Sequence, residues 1–402
     1  MSTYSSLLKT PGVARIIAAQ LTARFPFGML SLAFLLHVEA VHHSYAAAGL
    51  VLAATSLGQA VSGPLTSRFM GRWGMRPVLL FTLVVCATSI TVFAFATLSV
   101  PLYMAVGLLT GLSVPPVQPA VRTIYPKMVN SSQLTPLFSL DASAQEVIWV
   151  AGPVITTFVG TQVGTVEAIM VAAVFLVGGG IWFIASPEVG RVRIPRSKRA
   201  FGKVLARPTV LMATVTGFLL IGACSAVEAG VVATFGEGSP DSGIVLAVFA
   251  VGSLVGGLSL GHAPISPWSL ARRLSIVFVG MTLAVLVTGF LPLTVTLLVA
   301  GLGIAPALAV MFAIVSSSVK FSDTAEAYGW AGTGQLIGSA LGSATAGFLI
   351  DERGGSGGML VGAAFALVGL LVAVVFRGSL PDLRGRSASP LPDTEPVPIV
   401  SG

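Results

Sequence analysis

Apolar runs of about 20 residues recur along the whole chain, each long enough for a helix to cross the roughly 30 Å hydrocarbon core of a bilayer. Twelve are predicted, near residues 13–37, 46–67, 77–98, 101–122, 136–160, 166–186, 209–235, 242–262, 274–291, 293–318, 326–350 and 356–377. Only 9% of the 402 residues are charged, against about 25% in an ordinary globular chain. Mean hydropathy is +0.93. A water-facing surface cannot be built from so few charges, so the expected fold is an all-α membrane protein.

Connections between several runs are only a few residues long, so neighbouring helices must run antiparallel. With an even number of spans, nearly every basic residue from Lys9 to Arg386 falls on the side that holds both termini. Arg353 falls opposite, and Arg24 lies within a span. A bias of this kind fixes orientation, with both termini in the cytoplasm of a multi-pass cell-membrane protein. It also accounts for the net charge of +7 without nucleic acid as a partner. The N-terminus carries no cleavable signal pattern. Cys86 and Cys224 lie inside apolar runs, as small hydrophobes commonly do.

The longest polar interruption, residues 188–207, is a basic linker between a six-span bundle over 1–187 and a second over 208–378. Residues 379–402, rich in Pro and Ser, are expected to form a disordered cytoplasmic tail. The two halves are related in sequence. Gly49 to Gly63 reads GLVLAATSLGQAVSG and Gly243 to Gly257 reads GIVLAVFAVGSLVGG, so the glycines at 49, 58 and 63 recur at 243, 252 and 257. Spans two and eight are thus counterparts, and two like-oriented halves place a solute site between them near mid-membrane.

The connection after span two, SRFMGRWGMRPVLL from Ser67 to Leu80, resembles the signature loop of the major facilitator superfamily, with Arg72, Gly74 and Arg76 matching its Arg-x-Gly-x-Arg core. Gly71 stands where that loop carries an aspartate. Gly152 and Pro153 in span five, Pro115, Pro116 and Arg122 in span four, and EAYGWAGTGQLIGSALGSATAGFLID in span eleven are similar to drug–proton antiporters and other exporters of that family. The resemblance implies two pseudo-symmetric six-helix bundles, in which spans two and eleven, and five and eight, meet across the interface. Smooth stripes formed by Gly252 and Gly256, and by Gly334, Gly338 and Gly342, then serve either tight packing or rocking between halves.

Ionisable residues at membrane depth cost at least about 2.5–3.5 kcal/mol each and demand a reason. Arg24 is midway along span one and Glu146 midway along span five, with Asp141 nearer the terminal end; Glu228 lies in the outer part of span seven. Asp141 and Glu146, five residues apart, are separated by about 140° on a helix and cannot both face one partner. In the resembled fold spans one and five are neighbours, so Arg24 is expected to pair with Glu146. That pair is a permanent ion pair, a carboxylate that exchanges protons, or a direct contact for a charged solute, with Asp141 bordering the cavity. Arg122 and Glu326, near helix ends, are expected to reach water. Gln20, Phe25, Gln118, Gln145, Trp149, Tyr328, Trp330 and Gln335, with Glu228, are candidates to line the cavity. His37, His42 and His43 with Glu39 form a polar cluster in the first external loop. No metal set, phosphate-cradling loop or nucleophile motif stands out, so neither an enzyme nor a cofactor is expected. The expected function is secondary transport by a monomer, proton-coupled efflux of small, partly lipophilic compounds, with import of a polar metabolite such as a sugar or organic anion as the alternative.

Overall fold

The computed structural model describes residues 2–236, 239–261 and 263–393. It is all α-helical apart from one isolated bridge. Among the described residues eleven helical segments are long and apolar enough to cross a membrane. A twelfth, Phe321–Arg353, is longer but more polar, with Asp323 and Glu326 near one end and Asp351 to Arg353 at the other. In chain order the spans are Val13–His42, Tyr45–Trp73, Met75–Phe95, Val100–Lys127, Ser131–Gln162, Thr165–Ala185, Pro208–Phe235, Pro240–Leu260, Ser269–Leu286, Phe290–Ser318, Phe321–Arg353 and Gly355–Val375. They are referred to below as spans one to twelve. Span ends that share the face holding residues 2–9 are called the terminal side, and the other face the far side.

Three spans are interrupted at depth, and all three belong to the first half. Span one breaks into Val13–Arg24 and Leu30–His42 around a 3-10 turn, Phe25–Gly28; Pro26 has no amide hydrogen to continue the ladder. Span four breaks between Leu112 and Val117, where Pro115 also disfavours helical geometry in Val114 before it. Span five changes register at Gln145, between Ser131–Ala144 and Glu146–Gln162. Exposed backbone of this kind is tolerated at membrane depth only inside protein or beside a water-filled space.

The repeated glycines occupy equivalent places in the two halves. A Cβ on Gly58 would strike the backbone of span four at Leu108, and one on Gly252 would strike span ten at Leu298. Gly63 lies against Gly329 of span eleven, and Gly257 lies against Ser143 of span five. Gly49 and Gly243 both face open space. Contacts repeated in this way are what a pseudo-twofold along the membrane normal produces.

Two expectations are corrected here. Residues 379–393 are not a loose tail. The Leu383 amide donates to the Ile265 carbonyl, the Leu391 amide donates to the Val319 carbonyl while the Leu391 carbonyl accepts from the Phe321 amide, and the Asp393 carboxylate accepts from the Ser322 amide at 3.2 Å. Leu380, Leu383 and Ala388 are buried; too few to build a core alone, they suffice to dock on a surface the bundle has already formed. Residues 394–402 lie outside the described residues. The glycine stripes, in turn, pack within the second half. Gly334, Gly338 and Gly342 meet Thr214, Phe218 and Gly222 of span seven, while Gly252 and Gly256 meet span ten. Gly152 meets Gly28 of span one. Glycines that do approach the other half are Gly63, Gly329, Gly257 and Gly261.

Candidate functional site

Four polar groups from spans one and four converge on Asp141 of span five. Arg122 donates from Nε to Asp141 Oδ2 at 3.0 Å, and Arg24 approaches Oδ1 at 3.5 Å. Gln20 and the Tyr125 hydroxyl also donate to Oδ1, at 3.1 and 3.2 Å. Arg24 is held further by the amide oxygens of Gln20 and Gln145, both at 2.8 Å. Gln118, turned with its amide oxygen toward Arg122, completes that guanidinium's shell. All these groups except Gln118 are almost fully buried. One carboxylate therefore anchors two guanidiniums and ties spans one, four and five together.

This arrangement differs from the expected one. Arg24 takes Asp141 rather than Glu146 because span five begins at Ser131, earlier than its apolar run, which carries Asp141 as deep into its helix as Arg24 is into its own. Arg122 is 2% exposed rather than reaching water. Its guanidinium lies 3.4 Å over the ring of Phe312 in span ten, and the Phe312 carbonyl accepts from the Tyr328 hydroxyl at 2.9 Å. Glu326, also expected in water, is 4% exposed and bonded to Arg68.

Glu146 turns the other way, as its angular offset from Asp141 requires, and crosses the interface between the halves. It accepts from Ser253 Oγ of span eight at 2.8 Å, while that hydroxyl accepts from the amide of Ala305 in span ten at 3.2 Å. Glu228 of span seven has an accessible side chain at membrane depth, and it lies near enough to Glu146 for the two charges to interact. Among the described residues Glu228 has no hydrogen bond or ion pair, and Glu146 has Ser253 alone. The two carboxylates, one from each half, thus lie near each other at membrane depth, and the nearest buried guanidiniums are already engaged by Asp141.

From this level to the terminal side the halves are joined. Thr333 donates to the Ala60 carbonyl at 2.7 Å and Ser139 to that of Gly257 at 2.6 Å. Arg68 of span two meets Glu326 of span eleven at 2.5 Å, and Glu326 also accepts from the Gly202 amide of the linker. Among the described residues no hydrogen bond or ion pair joins the halves nearer the far side than Glu146. The hydrogen bonds and ion pairs between the halves thus lie at the level of Glu146 or on its terminal side.

The remaining candidates fall in several places. Phe25 packs on Phe175 of span six, 4.8 Å between ring centres. Gln335 lies against Gly217 of span seven, Tyr328 is buried edge-on to Phe312, and Trp149 is 55% exposed. Trp330 packs on Phe201 of the linker, on the terminal side and away from Glu146 and Glu228. Arg76 donates to the carbonyls of Ile184 and Ser186, fastening the signature loop to span six; Gly74 takes φ +96° between spans two and three, and Arg72 is exposed. Pro153 stays inside a continuous helix. His37, predicted in a loop, is in span one and bonds Thr165 at 2.9 Å, while His42 meets the Leu98 carbonyl. Ser253 was not foreseen; its one sequence signal is a hydroxyl beside the glycines of span eight.

With this geometry in place, comparison with known proteins is decisive at the level of family. Residues 16–300 match the family model described as Major Facilitator Superfamily. The chain belongs to the Major Facilitator Superfamily. It is a multi-pass membrane transporter of the secondary type and not an enzyme. No curated protein sequence matches it. Solved structures of the superfamily share the fold at low identity. The human organic anion transporter MFSD10 (TETRAN) superposes with a TM-score of 0.70 at 15% identity, covering 90% of this chain and 98% of that one. The proton:xylose symporter XylE reaches 0.73 at 13% identity, covering 96% and 98%. A bacterial homologue of the iron transporter ferroportin, in an outward-facing state, reaches 0.72 at 11% identity, covering 91% and 99%.

Proposed function

We propose that this superfamily member is a proton-coupled exporter of small, partly lipophilic compounds, cations foremost. The reading rests on one observation: Glu146 and Glu228, from opposite halves, lie near each other at membrane depth without a basic partner among the described residues, and on this reading they line one cleft between the halves. Two carboxylates held close in a poorly solvated space favour sharing a positive charge, and either a proton or an organic cation satisfies them. A cation that enters releases protons, and protons that enter release the cation. Antiport follows from that competition when the cleft opens alternately to the two sides. The terminal side is assigned to the cytoplasm of a cell membrane by its excess of basic residues.

In this mechanism the Asp141 cluster is structural and holds the broken spans in register. Opening toward the cytoplasm requires loss of the Arg68–Glu326 pair, the Ser139–Gly257 bond and the Arg122–Phe312 contact. Proteoliposomes with an imposed pH gradient test the proposal, using a fluorescent lipophilic cation, a sugar and an organic anion as solutes. Gradient-driven movement of the cation is expected, and it should vanish in Glu146→Gln protein. Gradient-driven movement of the sugar or the anion with the cation ignored, or unchanged coupling in Glu146→Gln, would refute it.

A further inference from the structure

A second site lies outside the cleft, at the terminal-side ends of spans nine and twelve. Ser266, Trp268, Arg272, Arg377 and Arg384 line an open cavity of about 540 Å³. Its arginines come from three separate segments: the first turn of span nine, the residue pair after span twelve, and the docked segment beyond it. Arg272 donates to the Ser266 hydroxyl at 2.8 Å, which sets its direction. Arg377 lies 4.5 Å over the Trp268 ring. Neither has a carboxylate partner among the described residues. Arg384 is paired with the exposed Asp382, and its hydrogen bonds hold that carboxyl down at about 2, so Asp382 stays charged. Three guanidiniums against one carboxylate leave an excess of two positive charges around the cavity.

The surroundings indicate what brings negative charge there. Trp268 is 47% exposed, and Val375 and Phe376, at the end of span twelve, are 69% and 54% exposed. An indole and a wholly apolar surface bordering arginines mark the level where hydrocarbon gives way to headgroups. A soluble phosphate would use the guanidiniums but leave the apolar border bare. A phospholipid uses both, with its phosphodiester against the arginines and its acyl chains along span twelve.

We propose that this cavity binds the headgroup of an anionic phospholipid, at a discrete site formed jointly by spans nine and twelve and the docked C-terminal segment. Because Arg384 belongs to that segment, a bound lipid also fastens it to the bundle. The site is independent of the transport reading, and its test does not use transport.

Native mass spectrometry of the full-length protein in detergent, supplied with equal amounts of phosphatidylglycerol and phosphatidylcholine, measures the preference directly. Wild-type protein should retain phosphatidylglycerol selectively. Substituting Arg272→Gln and Arg377→Gln together should reduce that preference by about tenfold or more. Arg384→Gln alone, in a segment outside the spans where folding is not at risk, should reduce it severalfold. Arg353→Gln, on the opposite face, should leave it unchanged. Equal retention of both lipids by the wild type, an unchanged preference in Arg384→Gln and the double variant, or full displacement by millimolar glycerol 1-phosphate would each overturn the proposal.

Discussion

The guanidinium of Arg122 rests 3.4 Å above the ring of Phe312, and that contact joins a span of the first half to one of the second. Because Arg122 is also fixed by Asp141, the contact links the buried charge cluster to the closure of the terminal side. A desolvated cation–π contact contributes about 2 kcal/mol. Phe312→Leu should therefore raise the population open to the terminal side by roughly tenfold or more, read as increased labelling of a single cysteine introduced near Ser143. Unchanged labelling would remove this contact from the closing mechanism.

Asp141 and Glu146 should respond oppositely to neutralisation. Asp141→Asn leaves two buried guanidiniums without their anion, and breaking a buried pair costs about 3–5 kcal/mol. A marked fall in the thermal midpoint or failure to accumulate in the membrane is expected. Glu146→Gln keeps shape and the bond from Ser253, so its midpoint should stay near wild type while coupling is lost. Comparable destabilisation by both substitutions would contradict the division between structural and functional carboxylates.

Glycines at the interface and within a half should also differ. A Cβ at Gly329 would come within 2.7 Å of the Gly63 carbonyl across the interface, whereas one at Gly338 would come within 2.0 Å of the Phe218 carbonyl inside the second half. Gly329→Ala can be relieved by the halves moving apart and should shift the conformational population with little loss of stability. Gly338→Ala has no such relief and should lower the thermal midpoint, by an overpacking cost of about 1–3 kcal/mol. Scanning fluorimetry and cysteine accessibility on the two variants distinguish these outcomes.

Removing residues 380–402 takes away the backbone bonds to Ile265, Val319 and Phe321. The truncated protein should insert normally, lose a few degrees of thermal stability and expose the turn between spans ten and eleven to protease. An identical melting curve and protease pattern would mean that the docked segment adds nothing to the bundle.

The spans were readable because hydrophobic length is a one-dimensional property, and the repeated glycines of spans two and eight marked the symmetry directly. Partners within the site were not, for reasons visible in particular residues. Apolar runs give the membrane-facing stretch of a helix, not its full length, so the polar residues Ser131 to Thr135 do not announce span five and Asp141 reads as shallower than it is. Gln145 carries no proline or glycine to announce a change of register. Arg122 looked free to reach water because Phe312, far away in sequence, is what covers it. The glycine stripes showed that close packing occurs but could not name the neighbour.

Every interruption at membrane depth falls in spans one, four and five, while the described helices of spans seven, ten and eleven run unbroken past the same level. A continuous helix resists bending; a segmented one yields where its backbone ladder is already missing. Stiffness is therefore unequal, and the first half should do the flexing while the second turns as a solid lever. Amides around Phe25–Gly28 and Gln145 would then exchange with deuterium sooner than any at matching depth on the other side of the molecule.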